Sequence, residues 1–91
     1  MNCKKVIYLG TTNGCSSCKC QEHILNSVLK DRNDVNLQVC NHTKLPEWIK
    51  TNVNLTDFPV TIIVEDNKIK YHFVGTRPIR DIKTLLIDID F

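Results

Sequence analysis

The sequence predicts an α/β fold of order β-α-β-α-β-β-α, a four-stranded mixed sheet flanked by three helices. Three observations carry this reading. Short β-branched runs, Val6-Ile7-Tyr8-Leu9 and Val60-Thr61-Ile62-Ile63-Val64, alternate with stretches whose apolar residues recur at helical spacing. The helix between the first two strands is a crossover, which makes those strands parallel. Asp66-Asn67 separates the last two strands by a two-residue turn, which makes them antiparallel. Ninety-one residues, 42% hydrophobic and 24% charged, suit one modest core and a single domain over 1–91.

The first strand runs from Lys4 to Leu9 and ends at Gly10, and Thr11-Thr12-Asn13-Gly14 is turn chemistry. Ile24, Leu25, Val28 and Leu29 then mark a helix from about Cys15 to Lys30, stopped by Asp31-Arg32-Asn33-Asp34. Val35, Leu37 and Val39 alternate with Asn36, Gln38 and Cys40, the pattern of an edge strand with one buried face. Thr43 to about Asn52 reads as a short helix with Pro46 in its first turn; Leu45, Trp48 and Ile49 share its inner face, which assigns Trp48 to the core. Val53 to Asp57 is a loop into Phe58-Pro59. Val60 to Val64 is β-branched throughout and is expected to be buried on both faces. Ile69, Tyr71 and Phe73 alternate with Lys70 and His72 in the partner strand, which ends at Val74-Gly75. Pro78 opens the last helix, where Ile79, Ile82, Leu86 and Ile89 form a stripe with Leu85 beside it, and Asp81 complements the dipole.

Charge and hydropathy narrow the function classes. A net charge of +2, with no basic run longer than Lys4-Lys5, argues against a nucleic-acid partner. No stretch approaches the roughly 18 apolar residues of a membrane span, and the apolar run near the N-terminus is too short for a signal-peptide core. The expected location is therefore cytoplasmic. Five cysteines leave one over from any full set of disulfides, and in a reducing compartment paired cysteines serve catalysis or metal binding.

Cys15-Ser16-Ser17-Cys18 is the candidate centre. With five cysteines, a Cys-x-x-Cys arises by accident roughly one time in five, so spacing alone decides nothing. Position decides. A helix N-terminus supplies free N–H groups and a positive dipole end worth roughly 0.3–2 kcal/mol to an anion, and a redox cysteine needs its thiolate stabilised. At about 100° per residue, Cys18 lies roughly 50° from the centre of the apolar stripe and Cys15 roughly 110° from it. Cys15 is thus the expected attacking thiol and Cys18 the resolving one. Cys15-x-x-Cys18-x-Cys20-x-x-His23 also resembles a metal-ligand string, but a regular helix spreads these residues around its circumference. Cys20 is expected to be a partly exposed thiol, His23 a surface residue, and Cys3 and Cys40 small buried residues or free thiols. His42 and His72 show no pairing in the sequence.

With these residues in place the chain resembles the small thioredoxin- and glutaredoxin-like redoxins, from Lys4 to Asp88. Cys15-Ser16-Ser17-Cys18 matches the family's active-site turn, Phe58-Pro59 its cis-proline before the third strand, and Val74-Gly75 the glycine before the last helix. The resemblance implies a substrate groove formed by Gly14, Ser16, Ser17, Phe58, Pro59, Gly75 and Thr76 beside Cys15. There are departures. Thioredoxins carry Trp before the first cysteine and Gly-Pro between the two, and bury an Asp where this chain has Leu9. Glutaredoxins hold glutathione with a glycine pair and an acid, where this chain has Gly75-Thr76-Arg77-Pro78.

The function implied is a monomeric thiol–disulfide oxidoreductase acting on protein disulfides. It would bind no cofactor and be recharged by thioredoxin reductase with NADPH or by glutathione. The alternatives are a glutaredoxin using Cys15 alone, a zinc or iron–sulfur module built on Cys15, Cys18 and Cys20, and an interaction domain with a vestigial dithiol.

Overall fold

Alternation along the first strand divides the molecule into two cores. In the computed structural model, which describes residues 4–91, β1 (Lys5–Thr11) sends Ile7 and Leu9 to one face and Val6 and Tyr8 to the other. Cys3 lies outside the described residues. β1 pairs in parallel with β2 (Val35–Asn41) and antiparallel with β3 (Val60–Glu65), which pairs in turn with β4 (Lys68–Val74), so the sheet order is β2-β1-β3-β4. β3 is buried from Val60 to Val64, as its uninterrupted β-branched run requires. β1 runs two residues past Leu9, because Gly10 and Thr11 continue the ladder opposite Cys40 and Asn41.

The first core lies under α1 (Ser16–Val28) and α3 (Ile79–Asp88), where Leu25, Val28, Ile82 and Leu86 pack on Ile7, Leu9, Ile63 and Phe73. Phe91 joins it, and Lys5 Nζ and Arg32 Nη2 donate to its main-chain oxygen at 3.0 and 2.7 Å. Arg32 also forks onto both carboxylate oxygens of Asp34, at 2.9 and 2.8 Å, which holds that carboxyl well below its usual range.

The second core lies on the opposite face, where Leu45, Ile49 and Val53 cover Val6, Val60, Ile62 and Val64. The expected helix over Thr43 to Asn52 is instead a 3₁₀ turn, His42–Lys44, followed by α2, Glu47–Lys50. Pro46 is the cause: the residue before a proline is driven out of the helical region, and Leu45 is extended at φ −65° and ψ 150°. So short a helix turns only Ile49 inward, and Trp48 stands 36% exposed rather than in the core. Val39 also departs from its expected burial. It is exposed at the end of β2, while Cys40 packs from the other face against the second core.

The hairpin turn has Asp66 and Asn67 at φ 54° and 65°, the left-handed pair that matches strand twist. Asp66 also exchanges hydrogen bonds with Lys4, its N–H donating to the Lys4 carbonyl at 2.9 Å and its carboxylate accepting from the Lys4 N–H at 3.0 Å.

At Gly10 the second core packs directly against the backbone. A Cβ there would lie 2.7 Å from Val60 Cγ1 and 3.2 Å from Leu45 Cδ1, both on fully enclosed neighbours that have nowhere to move. Gly10→Ala is expected to lower the unfolding free energy by about 1–3 kcal/mol, measurable by urea denaturation; an unchanged midpoint would show that Val60 and Leu45 can repack.

Candidate active site

The β1 strand delivers the chain to α1 through a turn that closes at Gly14, whose φ of 71° is open to glycine at little cost. Cys15 follows as the N-cap of α1, extended at φ −97° and ψ 100°, with its sulfur in the place usually taken by a capping oxygen. Cys15 Sγ accepts from the Cys18 N–H at 3.1 Å and from the Ser17 hydroxyl at 3.3 Å. Cys15 and Cys18 form a disulfide across a Cα–Cα distance of 5.3 Å. Cys18 is 3% exposed, whereas Cys15 is half-buried and opens onto solvent. One sulfur is accessible and receives helix-terminal donors; the other lies behind it.

A cleft of about 480 Å³ opens beside the pair, between the 11–14 loop and the end of β2, with Lys19, Glu22 and Val39 on its walls. On the other side the Phe58–Pro59 peptide bond is cis and Pro59 is buried. The segment after β4 ties the two together. The Gly75 N–H, at a residue with φ 88°, donates to the Pro59 carbonyl at 2.8 Å, and the Thr76 hydroxyl donates to the Ser17 carbonyl at 3.4 Å. Ser17, Pro59, Gly75 and Thr76 are thereby connected around the dithiol. Ser16 is exposed, and Phe58 turns its ring to His42 with centroids 4.6 Å apart.

Comparison with solved structures gives the frame for this geometry. Desulfothioredoxin from Desulfovibrio vulgaris Hildenborough superposes with a TM-score of 0.81 at 21% identity, over 93% of this chain and 81% of that one. Thioredoxin-2, a component of malaria parasite protein secretion machinery, gives 0.77 at 12% identity, over 97% and 85%. Mitochondrial thioredoxin 3 from Saccharomyces cerevisiae gives 0.74 at 19%, over 97% and 80%. The chain has the thioredoxin fold. No protein-family model matches it, and no curated protein matches it in sequence.

Within this thioredoxin fold, the contacts of three residues escaped the sequence reading. Gln21 is fully buried on α1 and its Oε1 accepts from the Arg77 N–H at 2.9 Å. Arg77 lays its guanidinium over the Phe73 ring at 4.5 Å, a cation–π contact that fixes the 75–77 segment from its far side. His42, for which the sequence offers no partner, donates from Nδ1 to the Thr11 carbonyl at 3.3 Å and so joins the 3₁₀ turn to the end of β1. A signal existed for Gln21: on the helical wheel it falls at about 240°, in the centre of the apolar stripe, where a polar residue needs a reason. Arg77 and His42 had none, since the Gln21 side chain that Arg77 bonds and the Thr11 carbonyl that His42 bonds are both distant in sequence.

The other thiols stand apart from the pair. Cys20 is free and exposed, and among the described residues no three Cys, His, Asp or Glu side chains come together as a metal site. Cys40 is free and partly enclosed, and burial pushes its thiol pKa up. In the oxidised protein an alkylating reagent is expected to modify Cys20 at least about tenfold faster than Cys40. Peptide mapping of a timed reaction checks this; equal rates would mean that β2 opens to expose Cys40.

Proposed function

We propose that this protein is a thiol–disulfide oxidoreductase that reduces protein disulfides through Cys15 and Cys18. The observation that carries the reading is the asymmetry of the pair: Cys15 Sγ is accessible and held by the Cys18 N–H at 3.1 Å, while Cys18 is 3% exposed. In the reduced protein those same donors stabilise a Cys15 thiolate. That thiolate attacks one sulfur of the substrate disulfide, and the other substrate sulfur leaves as a thiolate. Cys18, deprotonated, then attacks Cys15 Sγ. The second substrate thiol departs, and the Cys15–Cys18 disulfide seen in this structure is formed. Two electrons have moved from the protein dithiol to the substrate. No metal or prosthetic group takes part in this scheme.

Regeneration requires an external reductant, either thioredoxin reductase with NADPH or glutathione. Gly75-Thr76-Arg77-Pro78 lacks the glycine pair and acid that glutaredoxins use, which supports the reductase. We place the activity in the cytoplasm on the same reading, with the protein acting as a monomer. The surface around Ser17, Pro59, Gly75 and Thr76 is proposed to take an extended segment of the substrate, with Gly14, Ser16 and Phe58 at its margins.

The test is reduction of a protein disulfide, run separately with thioredoxin reductase and NADPH and with glutathione and its reductase. Activity is expected with the first. Cys15→Ser is expected to lose about 10³-fold or more, as deletion of a nucleophile does. Cys18→Ser should accumulate a mixed disulfide on Cys15, visible as a mass adduct that dithiothreitol removes. In the reduced wild type, the pH profile of Cys15 alkylation should report a pKa below that of a free thiol. Inactivity in both systems, with an ordinary pKa for Cys15, would leave the dithiol without a catalytic role.

A further inference from the structure

Gln21 is a buried polar side chain with half of its hydrogen bonding missing. Its Oε1 is satisfied by the Arg77 N–H at 2.9 Å, but Nε2 has no partner, and the residue has no exposed surface. An amide so enclosed is unfavourable unless both ends are paired. Thr61 Oγ1, another buried polar atom without a partner, does not bond to it. Leu9, which packs in the same core, brings no polar group.

Helix geometry says what lies next to that amide. Side chains of a helix lean toward its N-terminus, so the residue at i+3 covers the residue at i. Cys18 and Gln21 are the buried residues in the first half of α1; Gln21 follows Cys18 by one turn on the same buried face, and its side chain leans toward it. The 76–77 segment holds it there. Arg77 grips the amide, while Thr76 is anchored one turn earlier on the Ser17 carbonyl at 3.4 Å.

In this structure Cys18 Sγ is bonded to Cys15 and offers only a weak disulfide acceptor. Reduction changes that sulfur into a thiol or thiolate, a far better acceptor. We propose that Gln21 is a positioning residue whose Nε2 donates to the Cys18 sulfur when the disulfide is reduced, favouring the dithiol form by a bond the disulfide form lacks. This deepens the reading of Cys15 and Cys18 as a redox pair and rests on it. Reduction itself adds two electrons, from glutathione or a dithiol, and one proton for each sulfur left as a thiol. Gln21 exchanges neither and supplies only the hydrogen bond.

The experiment is the equilibrium of the Cys15–Cys18 pair in glutathione redox buffers, comparing wild type with Gln21→Met, a residue of similar length that lacks a donor. The variant is expected to move the equilibrium about tenfold toward the disulfide, a potential more negative by about 30 mV. Loss of the Arg77 contact affects both redox forms alike and cancels from the ratio. Unfolding of the oxidised and reduced forms gives a second reading: a purely structural Gln21 lowers both equally, whereas the proposed role destabilises the reduced form more. If Gln21→Met does not fold, Gln21→Leu takes its place in both measurements. A shift below twofold, or toward the dithiol, overturns the proposal. The equilibrium needs no substrate turnover. An enzyme inactive on protein disulfides sinks the proposed function, whereas an active one with an unmoved potential in the variant sinks only the role of Gln21.

Discussion

Packing of β1 on both faces is the constraint from which the dithiol end of the molecule follows. Ile7 and Leu9 are enclosed by α1 and α3, and Val6 by the 3₁₀ turn and α2, so a slip of one residue would turn every side chain to the wrong core. The strand has parallel β2 on one side and antiparallel β3 on the other, which fixes its register twice. Gly10 lies at a tight point of that packing, against Val60 and Leu45. Everything that begins after Thr11, namely the turn through Gly14, the Cys15 cap and the axis of α1, starts from a position that cannot drift.

A second anchor approaches from the opposite direction in sequence. The residues after β4 bond to the Pro59 carbonyl, the Ser17 carbonyl and the Gln21 amide within three consecutive positions, Gly75 to Arg77. This segment is connected to α3, whose Ile82 and Leu86 are seated in the same core as Leu25 and Val28. The first turn of α1 is therefore held both by the strand that precedes it and by a segment sixty residues later. Rigid support of this kind suits a site whose two sulfurs must exchange a bond without the backbone moving far.

Much of this was legible in the sequence because it rests on periodicity and local turn chemistry. The strand order of types, the parallel and antiparallel pairings, the edge placement of β2, the Asp66-Asn67 turn and the position of Cys15 at a helix start all come from such local signals. Trp48 was misassigned because its burial depends on helix length. A full helix over Thr43 to Asn52 would have carried it inward, and the extended Leu45 before Pro46 removed the turn that would have done so. Val39 follows the inward alternation of β2 but reaches beyond the shelter of α1, onto the cleft beside Cys15. His42, Arg77 and Phe91 gain their roles from partners far away in the chain, and no window along the sequence contains both halves of such a contact.

The polar environment of the buried sulfur is where this chain solves a physical problem from an unusual direction. A buried cysteine that must become a nucleophile needs something polar nearby, because an apolar enclosure disfavours its thiolate. Beneath α1 the sheet offers Ile7, Leu9 and Ile63, all apolar and enclosed, and one buried polar residue, Thr61, opposite Leu9 in the ladder. Polarity there comes from the Thr61 hydroxyl, from the helix itself or from the segment that crosses it. Gln21 is the buried polar residue on that helix, and Arg77 is the residue that holds its carbonyl end. An amide differs from a carboxylate in this position: it can donate without taking up or releasing a proton, so the support proposed for the sulfur would not titrate. A pair supported in this way would keep its preference between dithiol and disulfide without an added titrating group. Lys19 and Glu22 are charged residues on the wall of the cleft that both cysteines share.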